Sequence, residues 1–261
     1  MLNIALIQAD IHWEDKPKNI EAYSHAIAAL PDECDLAILP EMCTTGFSMQ
    51  ASLLAETNDG ETIKALQSLA ATCNVALAGS FIAKSDAGER YFNRGFLLTP
   101  EGEQHFYDKR HLFRMGTEQE IFTAGSKPLI VSYKGWNISL CICYDLRFPV
   151  WLRNRHNAYD LLICCANWPD SRQTVWNTLL QARAIENMSY VCGTNRVGTD
   201  GIGLNYAGGS TAFTPKGERM TVDNLHTPSA FTLTLHKAPL EKLRERFPAW
   251  KDADAFSLTE D

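Results

Sequence analysis

The chain has 261 residues, 45% of them hydrophobic and 21% charged, enough to fill a substantial α/β core and too apolar for a disordered or fibrous polypeptide. A formal net charge of -7 supplies no basic field for phosphates, which points away from nucleic acid and anionic membrane and toward a small-molecule partner. The opening run Leu2 to Ala9 lacks a basic flank and is broken by Asn3 and Gln8, so neither a signal peptide nor a membrane span is expected, and the chain is expected in the cytoplasm.

That run predicts a first strand, followed by a helix over 17–30 in which Ile20, Tyr23, Ile27 and Leu30 share a face. Leu36 to Leu39 is a second strand and ends at Pro40-Glu41. A helix over 61–73, with Ile63, Leu66 and Ala70 on one stripe, leads to a third strand over 75–82. Beyond Gly88 the pattern turns hairpin-like, with 91–98 and 104–107 about Pro100-Glu101-Gly102. Residues 108–128 read as a long loop. A second hairpin, 129–133 and 136–143 about Lys134-Gly135, delivers the chain to Cys143, after which 150–155 reads as a short helix. A strand over 160–165 then precedes a helix from Ser171, its expected N-cap, to about Met188. The remainder predicts a strand over 190–194, a Gly-rich loop over 196–209, strands over 210–214 and 230–235, and a helix over 239–247.

No linker divides the chain, so one layered α/β domain over 1–261 is expected. The segments DLAILPE and DLLICCANWP resemble each other and hint at two sheet layers with these strands side by side. The eight cysteines sit largely in apolar runs, as Cys141, Cys143, Cys164, Cys165 and Cys192 do. They read as reduced thiols, and without a CxxC pair no metal site is expected.

Three residues carry candidate chemistry. Cys143 ends an apolar strand just before the polar Tyr144, Asp145 and Arg147, where a rigid backbone can present a thiol; alternation puts Cys141 on the same face. A cysteine nucleophile needs a base and an oxyanion partner. Glu41 stands at the end of a probable parallel strand, where sheets place their crevices. Lys109 lies in FYDKRHLF, among aromatic and apolar neighbours. Each also has an ordinary reading, as buried thiol, solvated carboxylate or surface lysine. The base could instead be a histidine, and His111 is the one in the same segment.

Jointly, LPEMCTTGF, YDKRHLF, CICYDLRFP and CCANWP resemble the nitrilase superfamily, over most of the chain from Leu2 to about Gly217. The resemblance implies a four-layer α-β-β-α sandwich, with Glu41 as general base, Lys109 as oxyanion-stabilising cation and Cys143 as nucleophile. It implies a second glutamate between lysine and cysteine, for which Glu118 and Glu120 compete; the offset from Gly125 in FTAG favours Glu118. Within the superfamily, LPEMCTTGFSM and KRHLFRMGTE look closest to ω-amidases, implying hydrolysis of the terminal amide of 2-oxoglutaramate or 2-oxosuccinamate. It also implies no cofactor and pairing into homodimers or larger assemblies. The other readings are a nitrilase-superfamily enzyme with a neutral amide or a nitrile as substrate, and a catalytically silent binding protein on the same scaffold. Tyr144 supplies a backbone N–H to the oxyanion, Phe47 and Trp168 are candidate pocket walls, and Arg147 is the candidate partner for a substrate carboxylate, with Arg114 in reserve. Arg147 has a competing reading as a brace to Asp145 or Glu118, and Arg183 with Glu186 reads as a structural pair or an interface contact.

Overall fold

The computed structural model describes residues 1–222 and 224–258. One sheet holds β1 (Leu2–Gln8), β2 (Leu36–Ile38), β3 (Ala76–Lys84), β4 (Tyr91–Leu98), β5 (Gln104–Asp108) and the late strand β13 (Ser229–Leu235), in the order β13-β1-β2-β3-β4-β5. The other holds β6 (Leu129–Tyr133), β7 (Trp136–Ile142), β8 (Leu161–Ala166), β9 (Tyr190–Asn195) and β12 (Thr211–Phe213), in the order β12-β9-β8-β7-β6. A small ribbon pairs β10 (Val197–Thr199) with β11 (Asn205–Ala207). The helices are α1 (Lys16–Ala28), α2 (Ala51–Leu54), α3 (Glu61–Cys73), α4 (Glu118–Ile121), α5 (Gln173–Asn187) and α6 (Lys237–Arg246).

Each sheet has a parallel centre, β1/β2/β3 in one and β7/β8/β9 in the other, flanked by antiparallel strands. Strands buried on both faces read as unbroken apolar runs, and alternation divides each run between two cores. Leu2, Ile4 and Leu6 meet Ile138, Leu140, Ile142 and Ile163 between the sheets. Ala5 and Ile7 point the other way, to Tyr23 and Ile27 of α1 and Ile63 and Leu66 of α3. On the far side Cys141, Leu162, Cys164 and Val191 lie under Trp176, Leu180 and Ala184 of α5. The architecture is therefore the expected α-β-β-α sandwich. A one-residue slip of β1 would exchange these two sets of contacts, and with about 1.5–3 kcal/mol for each large apolar side chain buried, the register is strongly determined.

Several local expectations are corrected. The segments around β2 and β8 do not pair side by side; they occupy the middle of the parallel trio in opposite sheets, and only their carboxyl ends meet. Residues 150–155 form no helix. Asn154 instead ties the backbone of Tyr159 through both its amide atoms, at 2.8 and 3.1 Å, a local alternative to helical bonding. Ser171 is not an N-cap, because a 3₁₀ turn over Asp170–Arg172 comes first and α5 begins at Gln173 with Arg172 as its cap. The 108–128 segment holds a 3₁₀ turn over Arg114–Gly116 and α4, and the Gly-rich 196–209 segment holds the β10–β11 ribbon.

Candidate active site

Glu41 follows β2, Cys143 follows β7 and Lys109 follows β5, which runs in the direction of β3 after two antiparallel steps. All three therefore leave the sheets at carboxyl ends, where the two sheets converge. Both strand exits turn sharply: Met42 has φ 43° and Cys143 has φ 43°, a left-handed corner that costs a non-glycine residue about 1–2 kcal/mol. Local bonds hold each corner. The Met42 N–H donates to Ser80 Oγ at 2.7 Å, and its carbonyl accepts from Gly46 at 2.8 Å. Beyond Cys143, Arg183 of α5 donates twice to the Leu146 carbonyl, at 3.1 and 2.8 Å, while its own ion pair with Glu186 at 2.9 Å is structural, as expected. The corner also takes Cys143 off the alternation of β7. Cys141 faces α5, whereas Cys143 touches both the inter-sheet core and the α5 core.

Lys109 is 1% exposed and lies between two fully buried carboxylates. Its Nζ is 2.8 Å from Glu41 Oε1 and 2.9 Å from Glu118 Oε2. Asn93 repeats the bridge, donating from Nδ2 to Glu41 Oε1 at 2.8 Å and to Glu118 Oε1 at 3.0 Å. Its amide is aimed by Ser80, whose hydroxyl donates to Asn93 Oδ1 at 3.0 Å. The last oxygen of Glu41, Oε2, accepts from the Asn167 N–H at 2.9 Å. Burial alone would favour a neutral amine, yet Glu118 and Glu41 hold Lys109 protonated well above the ordinary lysine range. Burial, reinforced by Glu41 and opposed by Lys109, raises Glu118 above the usual carboxylate range.

Of the two competing glutamates Glu118 is the one that meets Lys109, at 2.9 Å, and Glu120 is exposed. The reason the Gly125 offset is informative is structural. Gly125 donates to the Lys109 carbonyl at 2.9 Å and leaves no room for a side chain, since a Cβ there would stand 2.0 Å from the Asp108 carbonyl oxygen. The loop is thus pinned on Lys109 at one end, and Glu118 returns to the same residue.

Cys143 is partly buried, and its Sγ lies 3.8 Å from the Asn167 carbonyl, whose own N–H holds Glu41. Burial and the Glu41 carboxylate push the thiol well above the ordinary range, with Lys109 only partly opposing them. The resting group is a thiol, so its proton must be taken as attack occurs. Tyr144 sits in the first turn of the 3₁₀ helix Cys143–Arg147, where backbone N–H groups lack intrahelical acceptors.

Beside Cys143 opens a cavity of about 230 Å³ lined by Lys109, Phe47, Tyr144, Arg147 and Trp168 among others, so all the expected wall residues are brought together. Phe47 also lies under the Lys109 ammonium, 5.4 Å from Nζ to ring centre. Arg147 does not brace the turn: its guanidinium stacks on Trp168 at 5.1 Å and makes no ion pair among the described residues. Arg114 is exposed and outside the cavity lining.

His111 also lies outside it. Its ring stacks on Phe148 at 3.7 Å, and its Nδ1 is 2.8 Å from Asp145 Oδ1. Asp145 is fully buried and also accepts from the His111 N–H at 2.9 Å, Tyr107 at 2.7 Å and the Ile142 N–H at 3.1 Å. It therefore ties the Cys143 turn to the segment carrying Lys109. Asp145→Asn, which places an amide N–H where an acceptor is needed, is expected to cost about 2 kcal/mol of stability and to lower kcat about tenfold. Urea unfolding beside steady-state kinetics checks this; an unchanged midpoint would show that the turn is held by other contacts.

Asn93 and Asn167 carry no mark of their role in sequence, although Asn93 is the one amide side chain of β4 and Asn167 lies inside the segment CCANWP. Arg172 and Asp200 join the cavity wall from segments read as a helix start and a loop.

Comparison with known proteins adds to this geometry. The sequence profile described as carbon-nitrogen hydrolase matches residues 3–235. The chain is 43% identical over 257 residues to the omega-amidase YafV of Escherichia coli K12, covering 98% of each chain. It is 28% identical to the 2-oxoglutaramate amidase of Bacillus subtilis, over 95% of this chain and 96% of that one. A Xanthomonas campestris crystal structure, described as a CN-hydrolase superfamily protein with an arsenic adduct in its active site, superposes with a TM-score of 0.95 at 41% identity, covering 99% of each chain.

Proposed function

The chain belongs to the carbon-nitrogen hydrolase family, whose members it resembles over nearly its whole length, and from that premise we propose that it hydrolyses the terminal amide of a small carboxylated substrate such as 2-oxoglutaramate or 2-oxosuccinamate. The observation that carries the chemistry is the Lys109 ammonium bound to Glu41 and Glu118 beside the Cys143 cavity. Glu41 takes the thiol proton as Sγ attacks the amide carbon, and Lys109 with the Tyr144 N–H stabilises the oxyanion. When the tetrahedral adduct collapses, the C–N bond breaks and Glu41 returns its proton to the nitrogen, which leaves as ammonia. Glu41 then deprotonates a water that cleaves the thioester, regenerating the thiol and releasing the acid. Glu118 keeps Lys109 charged and aimed. The names of the YafV and Bacillus subtilis relatives favour the carboxylated amide over a neutral one.

Ammonia release across 2-oxo dicarboxylic acid monoamides, neutral amides and nitriles tests the reading. The carboxylated amides should give the highest kcat/KM, and faster turnover of neutral amides or nitriles would overturn it. Arg147, which lines the cavity and pairs with no carboxylate among the described residues, is the proposed partner of the substrate carboxylate. Arg147→Ala is expected to cost about 2 kcal/mol in kcat/KM, roughly 30-fold, on the oxo acid monoamide and little on a neutral amide of equal length. Equal losses on both would return Arg147 to a structural role.

A further inference from the structure

A second arginine faces the same cavity. Arg172, the cap of α5, stacks its guanidinium on Phe113 at 5.5 Å and, like Arg147, makes no ion pair among the described residues. The two cations are mounted on one fixed ring. Trp168 carries Arg147 on its face and donates from Nε1 to the Arg172 carbonyl at 2.9 Å, while its own backbone N–H is held by Asn195 at 2.8 Å.

The other charged groups at the cavity already have direct partners. Lys109 is neutralised by Glu41 and Glu118. The cavity wall has one carboxylate, Asp200, and it is already occupied: Oδ1 accepts from the Ile202 and Leu204 N–H groups at 3.0 and 2.9 Å, and Oδ2 from Tyr206 at 2.8 Å. Two guanidiniums therefore remain that pair with no carboxylate among the described residues, among walls that include Phe47, Phe113 and Trp168, where low polarity strengthens their pull on an anion.

We propose that Arg172 is a specificity-determining residue, acting with Arg147 as a two-guanidinium clamp for the far end of the substrate. The clamp fits a group with adjacent acceptors, a carboxylate next to a 2-oxo oxygen. It disfavours an α-ammonium at the same place, because two guanidiniums that pair with no carboxylate repel it and most acceptor sites of Asp200 are already taken. The enzyme thereby separates ω-amides of 2-oxo acids from the corresponding amino acid amides, whose reacting ends are identical. This inference rests on the carboxylated-amide reading above.

The test compares wild type, Arg172→Ala and Arg172→Lys on 2-oxoglutaramate, glutamine and pentanamide, with thermal unfolding to confirm that each variant is folded. Wild type should prefer 2-oxoglutaramate over both others. Arg172→Ala should lower kcat/KM for 2-oxoglutaramate about 30-fold or more, mostly through KM, and change pentanamide by less than about threefold, so that the preference over glutamine narrows. Arg172→Lys should recover part of the loss, since the charge returns without the planar fork. A wild type with no preference for 2-oxoglutaramate over pentanamide would defeat the carboxylated-amide reading itself. A wild type that has the preference, with an Arg172→Ala variant that keeps it unchanged, would defeat the clamp alone.

Discussion

Replacing Cys143 by Ala or Ser is expected to lower amide hydrolysis by at least about three orders of magnitude while leaving the fold intact. The thiol is partly exposed at the end of β7 and bonds weakly, at 3.8 Å, to one carbonyl, so its loss strands no buried charge. Ammonia release measures the activity, and urea unfolding should place the variants within about 1 kcal/mol of wild type. Wild type mixed with substrate should show a mass increase for the acyl thioester, and Cys143→Ala should not. Cys141→Ser is the contrasting variant: this side chain faces α5, outside the cavity, so turnover should persist despite the cost of a buried hydroxyl. More than trace turnover by Cys143→Ala would end its assignment as nucleophile.

Glu41→Gln and Lys109→Met should each lower kcat by about two orders of magnitude or more, the first by removing the proton carrier and the second the oxyanion charge. Structural damage could imitate either loss, so the pH dependence of Cys143 alkylation supplies a separate readout. Burial and Glu41 raise the thiol, and Lys109 lowers it. Glu41→Gln should therefore move the alkylation profile to lower pH even as hydrolysis fails, and Lys109→Met should move it to higher pH. Lys109→Met also leaves two buried carboxylates facing each other and should cost about 3 kcal/mol of stability, less where one of them takes up a proton. Shifts in the same direction for both variants would contradict the roles given to them. His111→Ala should fall well short of Glu41→Gln, because its ring serves Asp145 and Phe148 instead of Cys143; an equal loss would revive a cysteine–histidine pair.

What the sequence determined by itself was the alternation of strands and helices, while the four-layer sandwich and the joint reading of three residues followed from the resemblance of its short segments to a family. The largely apolar runs of β1, β7 and β8 announce strands, and the stripe of Ile63, Leu66 and Ala70 announces α3, because side-chain periodicity is a local record of which faces meet a core. Glu41, Lys109 and Cys143 are legible as chemistry only jointly, through the short segments around them, and the fixed step from Glu118 to Gly125 is legible because both residues return to Lys109. Tertiary structure decided everything that depends on bonds between distant segments. Asn167 and Glu41 are 126 residues apart and hold each other's backbone and side chain, which no periodicity encodes. Asn93 counts as part of the site because Ser80 turns its amide toward two carboxylates. Arg147 pairs with no carboxylate among the described residues, because the oxygens of Asp145 are filled by other donors. Arg172, which reads in sequence as the first residue of a helix after its cap, faces the cavity because a 3₁₀ turn delays the start of α5 and leaves Arg172 as its cap beside Trp168. Such choices follow from competition among hydrogen-bond partners, and that competition exists only after the sheets have brought the partners together.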